Sequence, residues 1–554
     1  MSASSKKKLR KEQNAAAMTE KQQAQQKEAK KLKIYTVSFV AVLALIVVAA
    51  LVVGGVTAIK NGGILQRMTD AVTIGDTTLS NAELNYYYIA QIKNDYNNWL
   101  NSYGESTQLF VQWMMGLDIA KPLDDQIYDA ETGETFADYY KDRAIESAKN
   151  VYAIYNAAKA AGETLTEDQE AELDLSMETL EFYAQYSSTT PEGYLKSLYG
   201  SGATLENYRN YLEVNTLATS YAQKYHDGIE ITDKDIDTRN KEDYDEFSAF
   251  DYAVFFVDVN DFLPCNGTDV ATDHKHSDDE YAAARKAAEE TANTLAASGA
   301  TTMEQLDAAI AAIEAYKDDE DAKSSSITGY TLDQVSEKQG VWLSADDRKV
   351  GDLTMLSKET SSTDADGKET TTIDGYHIML FLGRDDREQK LVNVRHILSS
   401  FEGGTTENNV TVYSEEEKKA AYDALVAIQK EWQDNGGTVE AFEALAKEKT
   451  DDSGSKDVGG LYEDVYPGQM VETFNDWCFA EGRKAGDYEI VETEYGYHLI
   501  YFVSQSETIY RNMLIEDTLR SERYTEWYEA QLEAATVTEL NTKYLPLDYI
   551  MAAN

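Results

Sequence analysis

The segment Trp477-Cys-Phe-Ala-Glu-Gly-Arg-Lys-Ala-Gly-Asp487 has a close counterpart earlier in the chain. Trp342-Leu-Ser-Ala-Asp-Asp-Arg-Lys-Val-Gly-Asp352 is identical to it at six of eleven positions. Gly375-Tyr-His-Ile-Met379 and Gly496-Tyr-His-Leu-Ile500 form a second matching pair in the same order along the chain. Because internal self-similarity indicates a repeated structural unit, the sequence predicts two copies of one domain.

The separation of the second pair is shorter than that of the first pair, which predicts one insertion in the first copy. The polar segment Ser357–Thr371 is its candidate. Upstream, Ser277-Asp-Asp-Glu280 and Ser414-Glu-Glu-Glu417 have the pattern of helix capping boxes, and an Ala-rich run follows each. The sequence pattern of each copy therefore predicts a strand, two helices, a loop, a third helix and a final strand. This order indicates a small antiparallel sheet flanked by helices.

The part of the chain before the repeats is predicted to be mostly helical. Val72–Leu79 has the pattern of a short strand with a turn at Gly75-Asp76. Ser80 and Glu83 then form a capping box that opens a helix, and the helical pattern continues to about Glu246. At the other end of the chain, residues 507–535 predict an amphipathic helix that packs back onto another module.

The N-terminal part of the chain has the pattern of a membrane anchor. Residues 1–33 carry ten basic and three acidic side chains, and the segment Ile34–Ile59 that follows carries no charge. A helix of that length spans about 39 Å, enough for the hydrocarbon core of a bilayer. Since basic residues flank the cytoplasmic end of such helices, we expect a cytoplasmic arm and an extracytoplasmic bulk. A cleaved signal peptide is the alternative, but the apolar run of a signal peptide is shorter than Ile34–Ile59.

Composition excludes several classes of protein. The net charge of −49 disfavours binding to nucleic acid, and 42% hydrophobic residues with only 5 Pro exclude a disordered or Pro-rich polymer. Cys265 and Cys478 are too few for a disulfide framework. We expect Cys478 to be a buried free thiol, with pairing to Cys265 as the alternative. Two histidines within Asp273–His276 are expected to be solvated rather than to hold a metal.

Four segments of the second copy concentrate chemically active side chains. They are Val392-Asn-Val-Arg-His-Ile-Leu398, Thr450-Asp-Asp-Ser453, Gly468-Gln-Met-Val-Glu-Thr-Phe474 and Thr493-Glu-Tyr-Gly-Tyr-His-Leu-Ile500, the last of which is predicted to be the final strand. In this combination, and with Gly459-Gly460 before the third segment, they resemble the parvulin-type peptidyl-prolyl cis/trans isomerases over roughly Leu391 to Val503.

The resemblance implies roles for individual residues. His396 and His498 match a histidine pair on adjacent central strands, Thr493 matches the hydroxyl residue beside the second histidine, and Asp452 matches a position that holds Asp or Cys. These four are the candidate catalytic residues. A histidine pair that serves only the fold is the alternative.

The walls of the proline pocket are implied in the same way. Met470 and Phe474 match two walls, and their spacing of four predicts that they share one face of a helix. Tyr462 stands where the family usually has Leu, so the shape of the pocket departs from the family pattern. No basic cluster follows His396, which argues against a preference for phosphorylated substrates. The isomerase reaction implies neither a cofactor nor a metal.

The first copy departs further, because its opening strand, Phe250–Val257, contains no histidine and only His377 remains of the pair. We expect this copy to be catalytically silent.

The order of segments resembles the PrsA/SurA-type extracytoplasmic foldases. The fold class that follows is α+β and multi-domain, with a transmembrane helix, a helical SurA-N-like chaperone module, two parvulin-like domains and a C-terminal helix. The predicted boundaries are a basic cytoplasmic arm at 1–33, the transmembrane helix at 34–59, the helical module at 72–246, a degenerate parvulin-like domain at 247–388, a parvulin domain at 391–504, and a C-terminal helix and tail at 505–554 that pack on the helical module.

The resemblance implies an isomerase and ATP-independent foldase in a single-pass position on the membrane of a Gram-positive-type cell. Its partners would be unfolded or newly exported polypeptides that contain X-Pro bonds. A non-catalytic holdase and an envelope scaffold with one fixed partner are the alternatives. The oligomeric state does not follow from the sequence.

Overall fold

The structure is a computed structural model that describes residues 62–264, 276–363, 368–407 and 410–553, together with Lys8. The chain divides into two compact units, of which the first is Met1–Ile229 with Glu522–Asn554 and the second is Glu230–Ser521. The predicted basic arm and transmembrane helix, and also Cys265, lie outside the described residues. Within the described part of the chain, no helix has the length and apolar character that crossing a bilayer requires.

The first unit is mostly helical and contains two small sheets. Its helices are α1 Ile64–Met68, α2 Asn81–Tyr103, α3 Thr107–Met115, α4 Phe136–Ala160, α5 Glu167–Tyr186, α6 Pro191–Tyr199 and α7 Leu205–Asp227. Its strands are β1 Asp70–Ile74, β2 Thr77–Ser80, β3 Ile127–Asp129, β4 Glu134–Thr135 and, near the C-terminus of the chain, β15 Val537–Glu539.

Local hydrogen bonds explain where this unit begins. The predicted strand and turn form the hairpin of β1 and β2, and Ser80 and Glu83 make both bonds of the predicted capping box at the start of α2. Strand β1 also pairs with β15, with Val72 opposite Glu539. The C-terminal strand therefore completes a sheet that the first strands of the unit begin.

The second unit contains the two predicted repeats. Its helices are α8 Asp233–Glu242, α9 Asp278–Ala296, α10 Met303–Ala311, α11 Glu337–Leu343, α12 Glu415–Asp434, α13 Val439–Lys449, α14 Glu472–Phe479 and the first part of α15 Tyr510–Ala534. Its strands are β5 Ala249–Asp258, β6 Ser325–Tyr330, β7 Leu353–Thr363, β8 Glu369–Asp385, β9 Lys390–Ser400, β10 Thr405–Glu407, β11 Val410–Val412, β12 Leu461–Val465, β13 Tyr488–Thr493 and β14 Gly496–Ile509.

The two repeats have the same topology. We define the first repeat as residues 249–385 and the second repeat as residues 390–509. Each contains a four-stranded antiparallel sheet, with strand order β6-β5-β8-β7 in the first and β12-β9-β14-β13 in the second. The central pairs align in the same way, since Gly375 lies opposite Asp258 and Gly496 lies opposite Ser400. The internal repeat predicted from the sequence is confirmed.

The predicted insertion is also confirmed, and it is a hairpin extension. In the second repeat, Thr493 pairs with Gly496 across a two-residue turn. In the first repeat the corresponding residues, Lys358 and Gly375, are also paired. There the two strands stay paired beyond them, from Glu359 opposite Ile373 to Thr363 opposite Glu369. The additional residues therefore lengthen β7 and β8 without changing the order of strands in the sheet.

Two expectations about strands require correction. Thr493–Ile500 is not one strand, because Thr493 ends β13 and Gly496 begins β14. Gly496 has a φ of 149°, and a Cβ atom there would lie 2.2 Å from the carbonyl oxygen of Ser399, so the chain turns closely against β9. The edge strands β6, β7, β12 and β13 were absent from the predicted order, which contained only the central strands.

Candidate active site

Two buried histidines lie side by side on the central strands of the second repeat. In the register of β9 and β14, His396 is opposite Ile500 and His498 is opposite Leu398, so both side chains project from the same face. Their Nδ1 atoms are 3.0 Å apart, and their rings stack with centroids 5.2 Å apart. The exposed fractions are only 4% for His396 and 6% for His498, which makes this hydrogen bond inaccessible to bulk water.

The other two candidate catalytic residues extend the pair at both ends. Oγ1 of Thr493, at the end of β13, lies 2.8 Å from Nε2 of His498. Oδ2 of Asp452, in the turn after α13, lies 2.9 Å from Nε2 of His396. The structure therefore brings all four residues into one hydrogen-bonded chain, from Thr493 through the two histidines to Asp452.

The proton positions in this chain follow from the carboxylate at its end. An ionised carboxylate only accepts hydrogen bonds, so His396 donates from Nε2 to Asp452 and its Nδ1 is an acceptor. His498 must then donate from Nδ1 to His396, which leaves His498 Nε2 to accept the hydroxyl proton of Thr493. The hydroxyl oxygen of Thr493 in turn accepts the backbone N–H of Tyr495 at 3.2 Å. This arrangement of protons holds for the form in which both rings are neutral, and it gives each ring one tautomer.

Asp452 accepts more hydrogen bonds than the one from His396. Its Oδ2 accepts the hydroxyl of Tyr462 at 3.0 Å and the hydroxyl of Ser455, while its Oδ1 accepts the backbone N–H of Gly454 at 3.1 Å. Ser455 is fully buried, and its Oγ is also 3.2 Å from Nε2 of His396. Ser455 was not among the residues predicted from the sequence. Its signal was a hydroxyl residue in a glycine-containing turn just after an aspartate.

These contacts determine the electrostatics of the site. The hydrogen bond from His396 is the main reason why the pKa of Asp452 lies well below its usual range, and the Ser455 and Tyr462 hydroxyls act in the same direction against the effect of burial. Burial, with a smaller contribution from His396, lowers the pKa of His498 to about 3. At neutral pH the site thus contains one carboxylate and a neutral His498.

Apolar side chains cover the histidine pair. Phe474 on α14 is buried and meets both imidazole rings nearly edge-on, at 5.6 Å from His396 and 5.4 Å from His498. Tyr462 on β12 and Met470 are half-buried and pack against the same cluster as Phe474. The three predicted pocket walls therefore lie together beside the hydrogen-bonded chain. Thr493 also borders an open cleft that Phe401, Tyr413 and Val471 help to line.

One feature of the predicted pocket is wrong, because Met470 does not share a helix with Phe474. Helix α14 begins only at Glu472, and Met470 lies in the preceding turn. Side-chain hydrogen bonds stabilise that turn instead. Gln469 Oε1 accepts the N–H of Tyr466 at 3.0 Å, and Asn475 Oδ1 accepts the N–H of Gly468 at 2.6 Å. Spacing alone could not reveal this competition between the side chains and the helical pattern.

Glycine allows the turn that carries Asp452 to approach β9. Gly460 has a φ of 75°, and a Cβ atom there would lie 2.1 Å from the carbonyl oxygen of His396. Its own carbonyl accepts the N–H of His396 at 2.8 Å. The Gly459-Gly460 pair therefore fixes the backbone at His396.

Cys478, on α14, is a buried free thiol as predicted, and burial raises its pKa to about 12. In the described part of the chain, no group of three or more His, Cys, Asp or Glu side chains could hold a metal ion.

The first repeat lacks the same chemistry. The sheet registers place Val254 where the second repeat has His396, since Val254 pairs with Met379 as His396 pairs with Ile500. Lys358 replaces Thr493, and Gln339 replaces Phe474. His377 remains, but it packs on Phe256, and burial together with Lys358 lowers its pKa.

Comparisons with known proteins agree with the resemblance predicted from these residues. Residues 376–506 match the family model of the PPIC-type PPIASE domain. Foldase protein PrsA 1 of Listeria monocytogenes is 34% identical over 119 residues, which cover 20% of this chain and 40% of that protein. Foldase protein PrsA of Exiguobacterium sibiricum is 35% identical over 81 residues, covering 15% of this chain and 25% of that protein. The alignment with the Listeria protein therefore extends over less than half of that relative.

Among solved structures, PrsA from Bacillus subtilis aligns over 74% of this chain and 90% of its own, at 15% identity and a TM-score of 0.24. PrsA from Bacillus anthracis aligns over 27% of this chain and 59% of its own, at 24% identity and a TM-score of 0.17. The family model and the curated relatives confirm the predicted class, because residues 376–506 contain a parvulin-type domain. Within that class, the similarity is to the PrsA foldases.

Proposed function

We propose that this protein is a peptidyl-prolyl cis/trans isomerase and ATP-independent foldase, and that the domain at residues 391–504 carries the isomerase activity. The observation that carries this proposal is the buried chain from Thr493 through His498 and His396 to Asp452, with Phe474 packed edge-on against both rings. Isomerisation of an X-Pro bond requires rotation about the C–N bond and no covalent intermediate, so none of these groups has to act as a nucleophile.

The apolar residues would bind the proline ring. Phe474, Met470 and Tyr462 form one cluster beside the histidine pair, so a proline ring bound there is held while the preceding carbonyl turns. Because the rotation barrier of about 18 to 20 kcal/mol arises from C–N resonance, catalysis requires only that the twisted state be bound better than the planar one.

Asp452 supplies the electrostatic part of this preference. Its low pKa keeps it ionised, and its hydrogen bonds from His396, Ser455 and Tyr462 keep the carboxylate in place. Resonance in the planar amide places partial negative charge on the carbonyl oxygen, and twisting removes it. A fixed carboxylate near that oxygen therefore disfavours the planar state relative to the twisted one.

The chaperone part of the proposal is supported by exposed apolar side chains on the first unit. On α3, Trp113 is 81% exposed and Leu109 is 73% exposed. On α5, Phe182 is 64% exposed and Tyr186 is 84% exposed. Large exposed apolar side chains grouped on helices are typical of surfaces that bind other polypeptides. In the proposed division, they belong to the helical module at 72–246.

The remaining features of the proposal come from the sequence. The division into a silent domain at 247–388, a parvulin domain at 391–504 and a C-terminal region at 505–554 is part of it. The proposal also includes a single membrane span at 34–59, with the basic arm 1–33 in the cytoplasm. This topology would place the domains outside the membrane, within reach of newly exported polypeptides. Extraction of membranes with alkaline carbonate tests the anchor, because a spanning helix stays with the lipid and a cleaved signal peptide releases the protein.

The decisive experiment measures isomerisation of a short unphosphorylated X-Pro peptide by the purified chain and by an Asp452→Ala, His498→Ala double variant. We expect acceleration by the parent and loss of it in the double variant, with circular dichroism showing that both are folded. Absence of acceleration by the folded parent would instead favour the holdase. The scaffold alternative would give a single dominant crosslinked partner in cells.

A further inference from the structure

A stacked pair of tyrosines connects the proposed pocket to the helix that follows the second repeat. We define the pocket loop as residues 461–471, which carry the pocket walls Tyr462 and Met470. Tyr466, in the middle of this loop, stacks on Tyr510, the first residue of α15. The ring centroids are 4.8 Å apart and the planes differ by 9°. Tyr510 lies outside residues 376–506, which match the domain model.

Tyr510 itself is held firmly in the second unit. Its backbone N–H donates to the carbonyl of Gln389 at 2.8 Å, and the guanidinium of Arg387 lies 5.4 Å from its ring centroid. The next backbone N–H, that of Arg511, donates to the carbonyl of Arg387 at 2.8 Å. Two consecutive backbone bonds therefore fix where the Tyr510 ring stands.

Arg511 makes this position rigid because its side chain is buried, with an exposed fraction of 1%. Its Nε donates to Asn240 Oδ1 at 2.6 Å, its Nη1 donates to the carbonyl of Asp386 at 3.0 Å, and its Nη2 donates to the carbonyl of Tyr244. The guanidinium also lies 3.8 Å from the ring centroid of Tyr244. Moving the start of α15 would leave a buried charge without these partners, which is costly.

Hydrogen bonds between residues close in sequence hold the tip of the pocket loop, residues 466–469. The N–H of Tyr466 donates to the side-chain oxygen of Gln469 at 3.0 Å, and the N–H of Gln469 donates to the carbonyl of Tyr466 at 3.2 Å. The N–H of Gly468 donates to the side-chain oxygen of Asn475, at the start of α14. These bonds shape the turn but join it only to its own neighbours. The Tyr466 ring is the part of the tip that reaches a distant and rigid element.

From this arrangement, we propose that Tyr510 is a positioning residue for the proline pocket. It acts through Tyr466, and it holds the tip of the pocket loop so that Met470 stands opposite Phe474. The inference rests on the proposed function for its catalytic consequence, whereas the ordering of the loop can be measured independently. Removing the stack should raise the population of an open tip of the loop, in which Met470 is displaced, while Tyr462 stays held by the pairing of β12 with β9 and by its hydrogen bond to Asp452.

The first measurement is amide hydrogen exchange of residues 463–471 in the full chain. We compare the parent with Tyr510→Leu, which removes the stack, and with Tyr510→Phe, which keeps it. From the interaction energy of such aromatic pairs, we expect amide exchange in residues 463–471 to be about 2- to 10-fold faster in Tyr510→Leu. Exchange should be unchanged in Tyr510→Phe. Tyr528→Leu is the matched control, because Tyr528 is on the same helix and stacks on Tyr524 rather than on the pocket loop.

The second measurement is the isomerase reaction of the same variants. If the open loop cannot bind proline, KM rises in Tyr510→Leu by the factor by which the closed fraction of the loop falls, while kcat is retained because the hydrogen-bonded chain of His396 and His498 is untouched. Unchanged exchange in Tyr510→Leu overturns the inference. Equal acceleration in β9 and in the loop also overturns it, since that shows general destabilisation. An inactive parent would refute the proposed function, and the exchange data would still decide the inference.

Discussion

His396 and His498 meet through their Nδ1 atoms, 3.0 Å apart, so a single proton serves both rings. The carboxylate of Asp452 determines which ring donates, and the hydroxyl of Thr493 completes the chain at the other end. Burial of His498 disfavours a second proton on that ring. This relationship makes the site sensitive to acid and to the loss of any one donor.

Acid should destabilise the second unit over the pH range between the pKa of His498 in the folded chain and its pKa in the unfolded chain. Its pKa is about 3 in the folded chain, against an ordinary value of about 6.5. Between these values the unfolded chain binds more protons, so stability is complete above pH about 6.5 and falls as the pH decreases towards 3. Asp452 has a lowered pKa too, but its contribution is lost only below about pH 3.9.

Urea unfolding at pH 7.5, 6 and 5, followed by fluorescence of the buried Trp432 and Trp477, measures this effect. The slope approaches but does not exceed about 1.4 kcal/mol per pH unit from this one group. A His498→Gln variant should lose most of the slope, and His226→Gln, at a half-buried histidine of the first unit, should keep it. The same slope in the parent and in His498→Gln would contradict the lowered pKa of His498.

The hydroxyl of Thr493 is expected to matter for more than packing. Thr493→Val preserves the shape of the side chain but leaves Nε2 of His498 without its donor. We expect a loss of about 1 to 3 kcal/mol in stability and a lower kcat/KM, because His498 can then change tautomer. Thr493→Ser retains the donor and should restore most of both quantities. Urea unfolding and peptide isomerisation measure them, and an active Thr493→Val would show that the chain of bonds serves the fold alone.

Two glycines with similar backbone conformations should respond differently to alanine. Gly460 and Gly468 have φ of 75° and 87°, but a Cβ atom at Gly460 would lie 2.1 Å from the carbonyl oxygen of His396, whereas at Gly468 no atom would lie within 4 Å of it. Gly468→Ala should cost about 1 to 2 kcal/mol from its left-handed conformation alone. Gly460→Ala should cost clearly more and should also impair isomerisation. Equal costs in urea unfolding would argue against the close approach of this turn to β9.

The exposed aromatic residues of the first unit predict a function that is separable from catalysis. Trp113→Ser with Phe182→Ser should reduce the ability of the full chain to suppress aggregation of an unfolded client, because both side chains expose apolar surface. Isomerisation of a short peptide should be unchanged. Val350→Ser, at an exposed apolar residue of the second unit, is the control. Undiminished suppression of aggregation in the double variant would place client binding elsewhere.

Much of the fold was predictable because its signals are local. The capping boxes at Ser80, Ser277 and Ser414 are formed as expected, since each depends on two residues three positions apart. The insertion in the first repeat could be located because Trp342 and Trp477 are farther apart in the sequence than Gly375 and Gly496. The edge strands were missed because pairing partners far apart in the chain define them, and the turn at Glu494-Tyr495 was missed because alternation continues through it.

Repetition and patterning along the chain predicted the repeat and the α+β class of its units, and the resemblance to the parvulin-type isomerases pointed to the four residues that form the hydrogen-bonded chain at the site. How those residues connect depends on the folded structure. The direction of the hydrogen bonds from Thr493 to Asp452, the buried hydroxyl of Ser455, the position of Met470 before α14 and the stack of Tyr466 on Tyr510 all depend on side chains that meet after folding. Local hydrogen bonds are specified within a few residues, whereas burial and contact geometry arise from the packing of the whole unit.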